Sequence, residues 1–267
     1  ILNDITKKTP ACFEPSIDYV VVKIPRWDFE KFHEADNSLG IQMKSVGEAM
    51  AFGRNFKEAL QKALRSLEQK RFGFGFDSPH YADLTPLEEA ELVPLRSRLR
   101  KRTSTSIFDL CDALRAGMTT EEIHGLTKYD PWFLEQCKQI VDEALELVRE
   151  VQNGLTLQAI SVPHMRRLKR YGFSDYQIAT ILGVSESAVR AQRLHIGVCP
   201  VYKTVDTCAA EFESETPYHY SCYDTENEAK PSKNKKVIIL GSGPNRIGQG
   251  IEFDYCCVQG VFALKAM

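Results

Sequence analysis

Phe173-Ser174-Asp175-Tyr176-Gln177-Ile178-Ala179-Thr180-Ile181-Leu182-Gly183-Val184-Ser185-Glu186-Ser187-Ala188-Val189-Arg190 decides the fold of this 267-residue chain. Ala179, Gly183, Val184 and Val189 fill the small and apolar slots of two short helices that meet at a tight turn, with the second helix starting near Ser185. The same texture continues on the N-terminal side. Helices are predicted at 105–115, 119–124, 131–152, 156–170, 174–182 and 185–195, punctuated by Gly117, Gly125, Gly154, Gly172, Gly183 and Gly197. Thr85-Pro86-Leu87-Glu88 reads as a further helix start, with a capping box and proline at the first helical position. Short helices joined by short turns make residues 80 to about 200 an all-α bundle.

The flanks read differently. Asp18-Tyr19-Val20-Val21-Val22-Lys23-Ile24 is β-branched and almost wholly apolar, which predicts a buried strand stopped by Pro25. Met43 to Gly53 is a second extended candidate, interrupted by Gly47. Phe56, Ala59, Leu60, Ala63, Leu64 and Leu67 recur at helical spacing and predict an amphipathic helix from about Asn55 to Gln69. Two strands and one helix have no evident place to bury themselves, so this stretch reads as the tail of a larger domain. Beyond the bundle, Val201 to Cys208 alternates and is rich in β-branched residues, and Glu211 to Asn234 reads as a polar extended linker. Lys236-Val237-Ile238-Ile239-Leu240 predicts a short buried strand. It runs into Gly241-Ser242-Gly243-Pro244-Asn245-Arg246-Ile247-Gly248-Gln249-Gly250 and then an apolar helical stretch, the first half of a βαβ unit. The fold class is mostly α with flanking α/β pieces.

Composition narrows the function. With 34 Lys+Arg against 36 Asp+Glu the chain carries a net charge of −2, which argues against a nucleic-acid coat protein. A hydrophobic fraction of 43% rules out wholesale disorder. No apolar run reaches the length of about 18 residues that a membrane helix needs, so no membrane partner is expected. The start, Ile1-Leu2-Asn3-Asp4-Ile5-Thr6-Lys7-Lys8, lacks an apolar signal core and an initiator Met, and so points to a fragment. Cys12, Cys111, Cys137, Cys199, Cys208, Cys222, Cys256 and Cys257 form no Cys-x-x-Cys and have irregular spacings. They read as reduced, mostly buried thiols of a cytosolic protein rather than disulfides or a zinc site.

Three signals carry chemistry, each with a bland counterpart. The helix pair at 173–190 resembles a DNA-reading pattern, and Arg166, Arg167, Lys169, Arg170, Arg190 and Arg193 could form a local basic patch. Yet residues 85–200 hold 15 basic and 15 acidic side chains, so packing is the plainer reading and a helix-turn-helix regulator the alternative. The glycine-rich turn departs from a dinucleotide fingerprint: Arg246 stands where glycine or alanine is wanted and Pro244 sits inside the turn. Glu48 and Glu252 are carboxylates in otherwise apolar stretches, and each could line a polar passage or make an ordinary ion pair. His33, His80, His124, His164, His195 and His219 are dispersed, and no nucleophile signature or self-contained active site is visible.

Four blocks then resemble one family in its own order: Thr9-Pro10-Ala11-Cys12-Phe13-Glu14-Pro15-Ser16-Ile17-Asp18-Tyr19-Val20-Val21; Gln42-Met43-Lys44-Ser45-Val46-Gly47-Glu48; Val201-Tyr202-Lys203-Thr204-Val205-Asp206-Thr207-Cys208-Ala209-Ala210-Glu211-Phe212; and Gly243-Pro244-Asn245-Arg246-Ile247-Gly248-Gln249-Gly250-Ile251-Glu252-Phe253-Asp254-Tyr255. They resemble the large subunit of carbamoyl-phosphate synthase. Asp112-Ala113-Leu114-Arg115-Ala116-Gly117 and Trp132-Phe133-Leu134 match less tightly.

The resemblance implies two ATP-grasp halves separated by a helical oligomerisation domain. It assigns residues 1–76 to the end of the first, carboxyphosphate-forming half and residues 77–230 to the oligomerisation domain and its link. Residues 231–267 become the Rossmann-like opening of the second half. It implies an ATP-dependent ligase that makes carbamoyl phosphate from bicarbonate, glutamine-derived ammonia and two ATP, feeding arginine and pyrimidine synthesis. The implied cofactors are ATP and Mg²⁺ or Mn²⁺, and the implied partners are a glutaminase small subunit and further copies of the chain. Glu48, Arg246, Gly250 and Glu252 match positions that line the family's carbamate passage. The family's Glu-x-Asn-x-Arg magnesium motif and its phosphate-covering loops fall outside these residues. The stretch by itself is therefore expected to hold no cofactor, to have no catalytic residue and to be inactive. The nucleic-acid alternative recedes accordingly.

Overall fold

The computed structural model describes residues 1–84, 87–241, 245–246 and 250–267. Strands β1 (Val20–Arg26) and β2 (Gly47–Gly53) pair antiparallel, with Val22 opposite Ala51 and Ile24 opposite Ala49. The Asn55 side chain accepts from the Glu58 amide and starts α1 (Phe56–Ser66), whose Ala59, Leu60, Ala63 and Leu64 are buried. Small residues let this helix lie close on the sheet. A Cβ at Gly53 would stand 2.8 Å from the Ala59 amide nitrogen, so only glycine fits there.

Three expectations for this region change. Pro25 does not stop β1: it lies within the strand, opposite Glu48. Because β1 is an edge strand, a residue without an N–H leaves no ladder bond unmade on its outer side. The strand is also only half buried. Val22 and Arg26 point into the core while Val21 and Lys23 face outward, since α1 covers one face alone. Gly47 opens β2 rather than interrupting it.

The bundle follows from its caps. Helix α2 (Glu89–Arg100) opens on a capping box between Glu88 and Glu91. The start expected at Thr85-Pro86 lies, at those two positions, outside the described residues. Helix α3 (Ser106–Arg115) follows, then α4 (Thr120–Thr127), capped by Thr119. Asp130 accepts from the Trp132 amide ahead of Pro131 and starts α5 (Pro131–Gln152). Ser161, Ser174 and Ser185 cap α6 (Val162–Arg170), α7 (Asp175–Leu182) and α8 (Glu186–His195). The expected helix at 156–170 divides into a 3-10 turn at Leu157–Ala159 and α6. Gly125 is not a stop. It lies inside α4, which ends on the left-handed residue Lys128.

One hydrophobic core runs from Val22 to Val198. It joins Leu60 and Leu64 of α1 to Phe74 and Phe76 of the following loop and to Leu134, Ile140 and Leu147 of α5. The sheet and helix thus do have a burial partner, the bundle itself. The 3.6-residue period shows that α1 has an apolar face but does not say what covers it.

Past the bundle, β3 (Val201–Thr204) pairs antiparallel with β4 (His219–Cys222). β4 lies in the stretch expected to be a polar linker, and its buried Tyr220 and Cys222 alternate with polar neighbours. The strand expected at 236–240 is absent. Val237, Ile238 and Leu240 are 66%, 83% and 85% exposed, and no strand pairs with them among the described residues. A β-branched run fits a pleated surface but does not supply the neighbour. Instead β5 (Asn245–Arg246) adds to β2, and α9 (Gly250–Ala266) follows. The rest of the glycine-rich turn, residues 242–244 and 247–249, lies outside the described residues. All eight cysteines are free thiols, but only Cys111, Cys137 and Cys222 are buried, fewer than expected.

Candidate functional site

The candidate passage residues converge in part. Glu48 lies on the outer face of β2, the face opposite the one α1 covers. Its carboxylate meets the Lys23 ammonium of β1 at 2.9 Å, with both side chains half exposed. The short strand β5 then sets the backbone of Arg246 opposite Gly47 and that of Asn245 opposite Glu48. Two of the four expected residues therefore sit at adjacent ladder positions although they are far apart in sequence. Gly250 opens α9 and Glu252 lies in its first turn.

Sequence reading missed the polar node behind this sheet. Gln61 and Gln177 are fully buried. The Gln61 Oε1 accepts from the Phe74 amide at 3.1 Å and from Gln177 Nε2 at 3.0 Å, and Gln61 Nε2 donates to the Tyr171 carbonyl at 2.9 Å. Gln177 Nε2 donates also to the Gly75 carbonyl at 2.8 Å, and Gln177 Oε1 accepts from the Ser174 amide at 2.9 Å. One satisfied amide pair thus ties α1, the 72–77 loop and α7, and each bond lost would leave a buried group unpaired. A Cβ at Gly73 would come within 2.4 Å of Gln177 Nε2, so that glycine belongs to the node. The signal in the sequence was faint: glutamine on the inner face of each of two helices.

The basic patch expected of a DNA reader does not form. Arg193 of α8 turns inward and grips Asp175 of α7, Nε to Oδ1 at 3.0 Å and one terminal nitrogen to Oδ2 at 2.8 Å. Lys169 of α6 reaches the same carboxylate at 2.9 Å and donates to the Phe173 carbonyl at 2.6 Å. Burial pushes Lys169 down to about 8, against the pull of Asp175. Burial pushes Asp175 up, but Arg193 and Lys169 outweigh it and hold the carboxyl below its usual range. Arg167 is held by Glu143 at 2.7 Å, and Arg170 donates to the Tyr223 carbonyl at 3.0 Å. Four of the six cations singled out in the sequence are engaged within the protein, which leaves α8 a packing helix.

Among the described residues no three His, Cys, Asp or Glu side chains converge on one point. These residues do not fit a magnesium–nucleotide site, which needs several oxygen ligands held together, and no chemical step is assigned through one. No helix among them is long and apolar enough to cross a membrane.

Comparison with known families agrees with this architecture. The model of the carbamoyl-phosphate synthetase large chain oligomerisation domain matches residues 48–197, and that of the carbamoyl phosphate synthase preATP-grasp domain matches residues 233–267. The carbamoyl phosphate synthase large chain of Archaeoglobus fulgidus is 52% identical over 265 residues, covering 99% of this chain and 24% of the relative. The large chain of Rhodopirellula baltica is 55% identical over 270 residues, with 99% and 24% covered. That of Streptomyces griseus is 54% identical over 268 residues, with 99% and 23% covered. The chain spans about a quarter of the length of these curated relatives.

Proposed function

This chain belongs to the carbamoyl-phosphate synthase large-chain family, and we propose that it is the joining block of such a ligase. The whole ligase makes carbamoyl phosphate from bicarbonate, ammonia released by a glutaminase small subunit, and two ATP. Nucleotide and Mg²⁺ (or Mn²⁺) belong to the ATP-grasp halves, for arginine and pyrimidine synthesis in the cytoplasm. Residues 1–76 end the first half, residues 77–230 are the oligomerisation domain with its link, and residues 231–267 open the second half. The bundle carries self-association, and the stretch alone turns nothing over.

Glu48, Arg246, Gly250 and Glu252 line the passage by which carbamate moves between the halves. The observation that carries this reading is the β2–β5 ladder, which sets Arg246 beside Glu48. Carbamate is an anion that decomposes in water. A closed route protects it by excluding bulk solvent. Gly250 must then be small, because a side chain there would plug the bore.

The complete large chain carrying Gly250→Phe is expected to keep bicarbonate-dependent ATP hydrolysis and to lose carbamoyl phosphate formation. Normal product output from that variant would refute the passage.

A further inference from the structure

Six residues of the supposed linker, His219-Tyr220-Ser221-Cys222-Tyr223-Asp224, are held from two sides. Toward the first sheet, the Tyr220 ring lies 6.0 Å from Phe52 of β2 and 6.2 Å from Tyr19. Lys62 of α1 donates to the carbonyls of both Phe52 and Ser221, joining β2 to β4 through one ammonium. Toward the bundle, the Tyr223 ring sits beneath the Lys169 ammonium at 5.2 Å and the Arg193 guanidinium at 5.7 Å. These are the two cations already bound to Asp175. Arg170 donates to the Tyr223 carbonyl at 3.0 Å. Asp224 closes the set, 3.1 Å from Arg54, which in turn holds the Asp18 carboxylate at 2.6 Å.

We propose that residues 219–224 are a clasp that locks the β1–β2–α1 lobe to the α6–α8 corner of the bundle. It thereby fixes where the segment leading into residues 233–267 leaves the block. Five cations from four places in the fold (Arg54 after β2, Lys62 on α1, Lys169 and Arg170 on α6, Arg193 on α8) meet six residues that carry one carboxylate, one buried ring and one partly buried ring. A passive tether has no need of such a set. The apolar core already joins α1 to the bundle, and the clasp adds a polar attachment on the α6–α8 side. Aromatic rings under desolvated cations and carbonyls taking charged donors supply it, and all of it is lost together if the strand lifts. Burial also keeps the Tyr223 phenol up at about 12, so the ring remains neutral beneath its cations.

The consequence for product transfer rests on the proposed function, while the clasp itself does not. The test uses the complete large chain carrying Tyr223→Ala with Asp224→Asn, supplied with bicarbonate, ammonium and ATP. Amide exchange over residues 200–230 should quicken by about tenfold or more, as for a locally opened segment. Bicarbonate-dependent ATP hydrolysis should stay within about twofold of the parent, while carbamoyl phosphate formed per ATP falls about fivefold as the intermediate escapes to water. Unchanged exchange overturns the clasp, and quickened exchange with an unchanged product ratio overturns its consequence for product transfer. If the double variant does not fold by circular dichroism, two single variants decide. Tyr223→Phe keeps the ring under its cations and must match the parent. Asp224→Asn loses the anion for Arg54 and must quicken exchange over residues 200–230 by about twofold or more. Any other pattern overturns the proposal. A parent chain that makes no carbamoyl phosphate refutes the functional reading instead, and the exchange measurement alone then reads the clasp.

Discussion

Glu48 and Asp175 each meet a lysine ammonium at 2.9 Å, and there the likeness ends. The Glu48 and Lys23 side chains are 45% and 58% exposed on the outer face of a sheet. Asp175 and Lys169 are 10% and 7% exposed, inside the corner where α6, α7 and α8 meet, and Arg193 shares the carboxylate. Distance does not separate the two pairs, but solvent does. An exposed pair exchanges hydration for attraction at nearly equal cost. A buried cluster cannot regain hydration when one partner is removed. The Asp175 cluster therefore belongs to the fold, and Glu48 is free to belong to a function.

The sharpest way to break this contrast is Asp175→Ala. It leaves two buried cations facing each other, with carbonyls as their remaining acceptors. Loss of one partner of a buried charged set costs about 3–5 kcal/mol, and the variant should unfold at correspondingly lower urea. A loss under about 1 kcal/mol would place the cluster with the surface pairs.

Acid–base titration gives a smaller and more selective effect. Lys169 has its folded pKa depressed from 10.5 to about 8, chiefly by burial. The unfolded chain therefore binds the extra proton between those limits, and stability contributed by this group rises with pH across the window. It is fully present above 10.5 and is lost as pH falls through about 8. The slope is at most about 1.4 kcal/mol per pH unit. Burial also raises the thiols of Cys111 and Cys137, which acts in the opposite direction, so the measurement compares wild type with Lys169→Met, where both thiols remain. The stability of wild type relative to that variant should climb from pH 8 to 10.5. A flat difference would mean that Lys169 stays hydrated.

The two regions also differ in how plainly the sequence announces them. The bundle is nearly transparent, because its helix starts are written in adjacent residues: Asp130 before Pro131, and Ser161, Ser174 and Ser185 each accepting from an amide within the next three positions. Such signals are local and survive without knowledge of the fold. The clasp is opaque for the opposite reason. Tyr220, Cys222 and Tyr223 sit among polar residues, and what makes them structural is Phe52, Lys62 and Arg193, brought in from distant parts of the chain. Residues 236–240 mislead in the converse way: Val237, Ile238 and Leu240 have the right chemistry for a buried strand and stand exposed. Of the passage candidates, the sequence marks the acids as unusual, but only the ladder brings Arg246 next to Glu48. The Gln61–Gln177 bond shows only as a glutamine on the inner face of each helix, and neither helix alone says that the two meet.

The smallest effect on stability is expected where the effect on function is expected to be large. Lys23→Ala and Glu48→Ala each remove one member of a half-exposed pair and should change unfolding free energy by less than about 1 kcal/mol. If the outer face of β2 serves the passage, Glu48→Ala in the complete large chain should nevertheless reduce carbamoyl phosphate formed per ATP, while Lys23→Ala separates the need for the acid from the need for the pair. A fall in product with Glu48→Ala alone assigns the carboxylate to the passage. Equal falls with both assign the ion pair. A destabilisation by Glu48→Ala as large as that by Asp175→Ala would erase the distinction and make Glu48 one more structural anion.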